Sequence, residues 1–298
     1  MSDEDLQRTV QINHPGEPAA GEAAEARRPA RRKVVAAIGG VTLVGVGIGA
    51  GIVAATRTSN AKTTTAGNVP TTGSSPSATS AGPSPTPSPA WTPPVHPTTA
   101  VATKPQYYVD DQGAKAIALT MDDGPDPTYT PQVLEILRQY GIKATFNMVG
   151  YHIHSNLSLV KEVSAAGHTI TNHTWNHADL KHLTLKQVLS QIDRCNEALD
   201  EAQQSPDIFR APYGNWSPAV FKACAERGLR PIDWSVDPQD WNTAHVDTQM
   251  IVHTVLSTTK AHDIILEHDG GGVRRNTVAA MRIFIPKLLE DGYNFVTM

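Results

Sequence analysis

Residues 106–298 predict an α/β fold, a distorted (β/α) barrel of about seven strand–helix units, on two observations. Short β-prone apolar runs alternate with longer segments of helical periodicity, which implies a parallel sheet. The reactive side-chain types fall just behind the apolar runs and not within the helical segments, as a barrel with its chemistry on the C-terminal lip of the strands requires. An open doubly wound sheet is the other architecture that the same alternation permits.

Taken in order, residues 1–33 are polar, rich in Ala, Glu, Pro and Arg, and close on Arg27, Arg28, Arg31, Arg32 and Lys33. We expect a disordered tail there. From Val34 to Ala55 only Thr42 is polar, which at about 1.5 Å per residue suffices to cross a hydrocarbon core of roughly 30 Å. The basic cluster ahead of this run and the sparse Arg57 and Lys62 behind it predict a transmembrane helix with a cytoplasmic N-terminus and the remainder of the chain outside the cell membrane. A cleaved signal peptide is the rival reading; the long leader and long apolar run favour a retained anchor. Residues 56–105 are mostly Thr, Ser, Pro, Ala and Gly. Such a segment cannot bury enough apolar area to fold and reads as an extracellular linker or stalk.

The barrel opens with Ala116–Met121, a short apolar run that ends in Asp122, Asp123 and the turn pair Gly124-Pro125. Thr130 reads as the cap of the next helix with Pro131 at its first position, and Gly141 as its stop. The pattern then repeats: strands over 144–149, 168–172, 207–210, 231–236, 263–267 and 293–297, and helices over 157–166, 185–202, 217–227, one capped by Asp247 and one capped by Asn276. The net charge of −4 offers no cationic field for nucleic acid. Two cysteines are too few for a disulfide scaffold or a thiolate zinc site. Cys195 and Cys224 fall in neighbouring predicted helices on the oxidising side of the membrane, so a disulfide is one expectation and a pair of buried free thiols the other.

Adjacent carboxylates at a strand end point opposite ways on an extended backbone, which gives Asp122 and Asp123 the means to hold different jobs, one on a metal and one on a water. An acidic turn is the plain alternative. His173 and His177 have the four-residue separation that two imidazoles need to reach one ion. Asn172 and Asn176 interrupt helix there, so we place the pair on a loop opening a helix. Two histidines, a carboxylate from Asp123 and an open position make a catalytic rather than a structural zinc arrangement. His152, His154, His182, His245 and His253 are read as surface or packing residues.

Thr120-Met-Asp-Asp-Gly-Pro125, His173-Thr-Trp-Asn-His177, Arg210-Ala-Pro-Tyr213, Asp237-Pro-Gln-Asp-Trp241 and Leu266-Glu-His268 stand in the order and spacing of the five motifs of the polysaccharide deacetylase family, carbohydrate esterase family four, which residues 112–298 resemble. Met121 stands where that family usually has Phe, and Ala178 where Pro is common; both read as packing positions. The resemblance implies that Asp122 is the general base for the attacking water and that Asp123, His173 and His177 hold a divalent ion, zinc first, with cobalt or nickel as alternatives. It implies further that Arg210 holds the base, the backbone N–H of Tyr213 faces the oxyanion, and His268 protonates the departing amine. Asp237 is expected to orient His268, with Asp240 as the alternative; Trp241 and Leu266 are expected to form the apolar wall for the acetyl methyl. The implied function is metal-dependent removal of N-acetyl groups from a cell-surface polysaccharide, N-acetylglucosamine of peptidoglycan or chitin-like oligomers, with release of acetate. An O-deacetylase such as an acetylxylan esterase is the alternative, and a non-catalytic glycan-binding module a third reading. The partners expected are the acetylated glycan and the membrane, with no nucleic acid.

Overall fold

The computed structural model describes Thr92, residues 100–110 and residues 112–298. The expected tail over 1–33, the transmembrane span over 34–55 and most of the linker lie outside the described residues; within them no helix is long and apolar enough to cross a membrane.

The central strand is β1 (Ala116–Asp122), buried along its whole length. Its two faces differ in residue size. Ile117, Leu119 and Met121 turn outward into the main core beneath the helices, whereas Ala116 and Ala118 join Val109 and Ile264 in a narrow inner cluster. Large outside and small inside is the pattern of a sheet that curls on itself, because the concave face has less room. Around β1 stand β2 (Thr145–Met148), β3 (Thr169–Asn172), β4 (Ile208–Phe209), β5 (Arg230–Pro231) and β6 (Ile264–His268), in the spatial order β5-β4-β3-β2-β1-β6 and all parallel. The last strand, β7 (Asn294–Val296), pairs with residues 116–118 of β1 while β2 pairs with residues 120–122, so the two share one edge of β1 end to end.

The ring is completed only loosely. Val236 and Ile265 form an isolated parallel bridge, with Val236 N–H donating to the Ile264 carbonyl at 3.1 Å and Leu266 N–H to the Val236 carbonyl at 2.9 Å. The strand expected over 231–236 is therefore shortened to β5. Pro231 has no N–H to give a ladder, and Asp233 N–H turns instead to the Gln106 carbonyl at 2.8 Å. The result is a parallel half-barrel with a bridged seam.

Helices α1 (Thr130–Tyr140), α3 (Leu157–Ala165), α4 (Leu185–Glu201), α5 (Pro218–Glu226), α6 (Thr248–Thr258) and α7 (Arg275–Glu290) stand where helical periodicity places them; the short α2 (Gly150–Ser155) was not foreseen. Asp247 caps α6 by accepting from Met250 N–H at 2.9 Å, as expected. Two other expected caps are corrected. Thr130 is the first helical residue of α1, and its hydroxyl is committed to the Asp269 carboxylate at 2.5 Å. Asn276 lies inside α7 and donates to the Val246 carbonyl, with Arg274 at the cap position.

The cysteines form no disulfide. Both are free and buried. Cys195 belongs to the main core and Cys224 to a second cluster around Phe209 and Val220, so α4 and α5 turn their thiols into different cores. Burial pushes each thiol up to about 12. Reduction should consequently leave the melting temperature unchanged, whereas loss of a native bridge costs about 2–5 kcal/mol; a fall of several degrees on adding reductant would reveal a disulfide.

Candidate active site

Apart from Leu266, which lies within β6, the residues expected at the active site lie at the C-terminal end of a strand or in the loop behind it. Asp122 ends β1, and its carboxylate is fixed from within the barrel. Arg210, just behind β4 and fully buried, donates from Nη1 to Asp122 Oδ1 at 2.7 Å and to Thr120 Oγ1 at 2.8 Å, and from Nη2 to the Asp233 carbonyl at 2.8 Å. Asn147 Nδ2 donates to the same Asp122 Oδ1 at 2.6 Å. Oδ2 is turned the other way, 3.6 Å from His173 Nε2.

Asp123 follows with a left-handed backbone, φ 70°. That turn breaks the alternation of an extended chain, so both carboxylates approach one imidazole: Asp123 Oδ1 lies 3.5 Å from His173 Nε2 and 3.1 Å from His177 Nε2. The histidines do not sit on a helix. They lie on the loop between β3 and α4, which reverses twice, at Thr174 (φ 71°) and at His177 (φ 56°). Asn172 Oδ1 accepts from Thr174 N–H at 2.9 Å, and Gln191 of α4 accepts from the N–H of Trp175 and Asn176. Gly150 gives this loop its seat, since a Cβ there would stand 2.8 Å from the Trp175 ring.

The donor set fits a divalent ion. One ligand atom each from Asp123, His173 and His177 lies within 4.8 Å of the others, all three residues being buried. His173 Nδ1 faces the Arg210 carbonyl at 2.8 Å, which places its proton on Nδ1 and leaves Nε2 as the electron-pair donor turned to the carboxylates. Burial works to raise the Asp123 carboxyl, but His177, His173 and His268 outweigh it and hold it well below the usual range. The loop behind β6 closes over the back of this residue: a Cβ on Gly271 (φ +70°) would come within 2.4 Å of Asp123 Oδ2.

On the opposite wall stands His268, the last residue of β6. Asp240 holds it, not Asp237. Asp240 Oδ1 is 2.6 Å from His268 Nδ1, while Oδ2 accepts from His268 N–H at 3.0 Å and from the Thr277 hydroxyl at 2.6 Å. Asp237 lies three residues earlier, accepting from Gln239 N–H at 2.8 Å and from the Trp241 side chain. Its carboxylate thus serves the loop that presents Asp240. Burial favours neutral His268, yet Asp240 outweighs it, and the imidazole pKa is raised. Asp240 itself, despite burial, is held down to about 2 by His268, Arg274 and Thr277. Glu267 shows the reverse: fully buried beside Asp240, with no N–H or O–H donating to either oxygen, its carboxyl is pushed well above the usual range by burial and by the charge of Asp240.

Between the two walls lies a cavity of about 110 Å³, lined by Asp122, His173, His177, Tyr213, Trp234, Asp237, Trp241, Leu266 and His268. Tyr213 reaches it from a 3₁₀ turn, Pro212–Gly214, in a left-handed conformation of φ 61°, and its ring packs edgewise on His177. Two contributors escaped the sequence reading. Trp234 precedes the fourth motif by three residues and lies over the Arg210 guanidinium at 5.7 Å. Asn147 carried a signal, a lone amide between the apolar Phe146 and Met148 of a buried strand.

Carboxylates and imidazoles facing one another across a small, partly apolar slot at the mouth of a parallel α/β half-barrel make this chain a hydrolase. Residues 110–232 match the family model described as polysaccharide deacetylase. A peptidoglycan-N-acetylglucosamine deacetylase of Bacillus cereus is 44% identical over 186 residues, 62% of this chain and 86% of that protein. A chitooligosaccharide deacetylase of Sinorhizobium fredii is 37% identical over 61% of this chain and 89% of its own length. Among solved structures, the Bc1960 peptidoglycan N-acetylglucosamine deacetylase superposes with a TM-score of 0.61 at 33% identity, covering 65% of this chain and 90% of that one. The chain belongs to the polysaccharide deacetylase family, hydrolases that act on amide bonds.

Gly271 gives the ligand set a direct test. Gly271→Ala must displace Asp123, so the affinity for a divalent ion, measured by titration calorimetry, should fall roughly 10- to 100-fold, the usual effect of disturbing the support of a ligand. Unchanged affinity would show that the glycine loop does not seat Asp123.

Proposed function

We propose that this chain removes the N-acetyl groups of N-acetylglucosamine units in a cell-surface glycan, peptidoglycan or a chitin-like oligomer, and releases acetate. The observation that carries the reading is the pairing of walls: Asp122 Oδ2 on one side of the cavity and the Asp240-held His268 on the other. Hydrolysis of an amide needs a proton taken from water and a proton given to the departing nitrogen, and the two groups are placed for those two transfers.

Asp122 accepts the proton of the attacking water on Oδ2, the oxygen that Arg210 and Asn147 leave unoccupied. Water oxygen bonds to the acetyl carbon, the carbon–nitrogen bond breaks, and His268 gives its proton to the amine as it leaves. Asp240 keeps that imidazole protonated and aimed. The Tyr213 backbone N–H serves the developing oxyanion, and Trp241 with Leu266 receives the methyl group. A divalent ion held by Asp123, His173 and His177, zinc by the chemistry of this donor set and cobalt or nickel as alternatives, would polarise the carbonyl and make water more acidic. The N-acetylated glycans named for the relatives support the substrate class. The apolar run over 34–55 with its basic flank and the following linker support a membrane-anchored enzyme whose catalytic domain faces the wall.

Purified protein incubated with peptidoglycan, chitooligosaccharides and acetylated xylan should release acetate from the N-acetylated substrates, lose that activity to a chelator and regain it with zinc. No acetate from any amide substrate would remove the reading. A second outcome concerns the proton donor. Because Asp240 raises the His268 pKa, Asp240→Asn should lower it, moving the alkaline limb of kcat/KM to lower pH and cutting kcat by about 10²–10⁴-fold. Asp237→Asn should move the limb less; equal shifts would show that Asp240 has no special hold on His268.

A further inference from the structure

Asp122 Oδ1 meets two donors that arrive from different strands. Arg210 Nη1 comes from behind β4 at 2.7 Å and Asn147 Nδ2 from β2 at 2.6 Å, both from residues with no exposed surface. Asn147 stands directly beside Asp122 in the β1–β2 register, and Thr171 of β3 stands directly beside Asn147 in the next. The Thr171 hydroxyl donates to Asn147 Oδ1. The acceptor-only carboxylate of Asp122 sets which way the amide faces, since the flipped amide would put an oxygen against it with no proton between them; the Thr171 hydroxyl, able to donate or accept, then donates to the amide oxygen and holds it there.

A carboxylate held by one donor pivots about that bond. Two donors on the same oxygen, from two directions, fix its plane. We propose that Asn147, held by Thr171, is a positioning residue for Asp122: with Arg210 it occupies Oδ1, so that Oδ2 alone faces the cavity. Thr171, Asn147 and Asp122 act in series across β3, β2 and β1, and Thr171 acts only through the amide. This inference rests on the reading of Asp122 as the base of the deacetylation.

The serial arrangement has a signature that a packing role lacks. Asn147→Leu, of similar size but without the donor, should lower kcat roughly 10- to 100-fold with KM nearly unchanged. Thr171→Val should lower kcat by a smaller factor, and Thr171→Ser, which keeps the hydroxyl, should restore it. The double variant Asn147→Leu/Thr171→Val should equal Asn147→Leu alone, since coupling in series is not additive. Divalent-ion affinity and the circular dichroism spectrum should match wild type throughout. The inference is overturned if Asn147→Leu keeps the wild-type kcat, or if Thr171→Val multiplies its full factor onto the Asn147→Leu loss. Should Asn147→Leu not fold, the Thr171→Val and Thr171→Ser pair decides the matter, equal rates from the two overturning it. If wild-type protein releases no acetate, the functional reading fails separately. The proton–nitrogen spectrum then decides this one: the side-chain amide signal of Asn147 should shift in Asp122→Asn and in Thr171→Val, and a signal indifferent to both would overturn the hydrogen-bond series.

Discussion

The arrangement of the barrel mouth depends on one buried guanidinium. Arg210 has no exposed surface, and a charge removed from water is tolerated only where hydrogen bonds and an opposite charge surround it. Here the partners come from two parts of the fold: Thr120 and Asp122 on β1, and the Asp233 carbonyl behind β5. The Arg210 main chain contributes as well, its carbonyl facing His173 Nδ1. One residue thus aligns the candidate base through its side chain and a candidate metal ligand through its backbone. Replacing it would leave Asp122 with Asn147 as its remaining side-chain donor and no cation in contact, so the stability of the fold and the alignment of the candidate base share this residue.

Around that hub the backbone departs from ordinary geometry. Asp123, Thr174, His177, Tyr213 and Gln239 take left-handed conformations although none is glycine. Each costs of order 1–3 kcal/mol and persists only where surrounding structure enforces it. All five lie in loops that line or border the cavity, whereas only Gln203 and His262 show the same conformation elsewhere among the described residues. At Asp123 the purpose is visible, since an extended backbone would have sent the second carboxylate away from the histidines.

Much of this was legible in the chain. Asp122, His173, Arg210 and His268 follow β-prone runs, and strand–helix alternation with reactive groups behind the strands is a pattern that periodicity can carry. The half-barrel, most helices and the set of facing side chains follow from it. What stayed hidden is set by tertiary contacts. Asp237 and Asp240 are both candidates in sequence, the first preferred, and only the fold of the loop shows that the second reaches His268 while the first is used by Gln239 and Trp241. The cysteines could be placed on adjacent helices, but not on opposite sides of the contact between cores. Thr130 and Asn276 have cap chemistry, yet their polar groups are claimed by Asp269 and by the Val246 carbonyl. The β5 strand was overestimated because a proline interrupts hydrogen bonding that the apolar pattern alone does not report.

The separation of the proposed proton acceptor from the proposed proton donor follows from the register of two neighbouring strands. Asp122 and His268 are paired residues of β1 and β6, each the last of its strand and each facing inward. Their immediate neighbours Met121 and Glu267 are also paired and face outward, where Glu267 lies buried beside Asp240 without a hydrogen-bond donor and its carboxyl pKa is pushed well above the usual range by burial and by Asp240. Because side chains alternate with a period of two, a slip of β6 by one residue would present Glu267 to the cavity and bury His268 in the helix layer. The acidic residue would then face Asp122, and two carboxylates that close cannot both ionise. Ile265, the large outward residue of β6 that packs in the main core beneath the helices, opposes that slip. Hydrophobic packing on the outer face of the sheet therefore fixes which titratable group lines the cavity on the inner face.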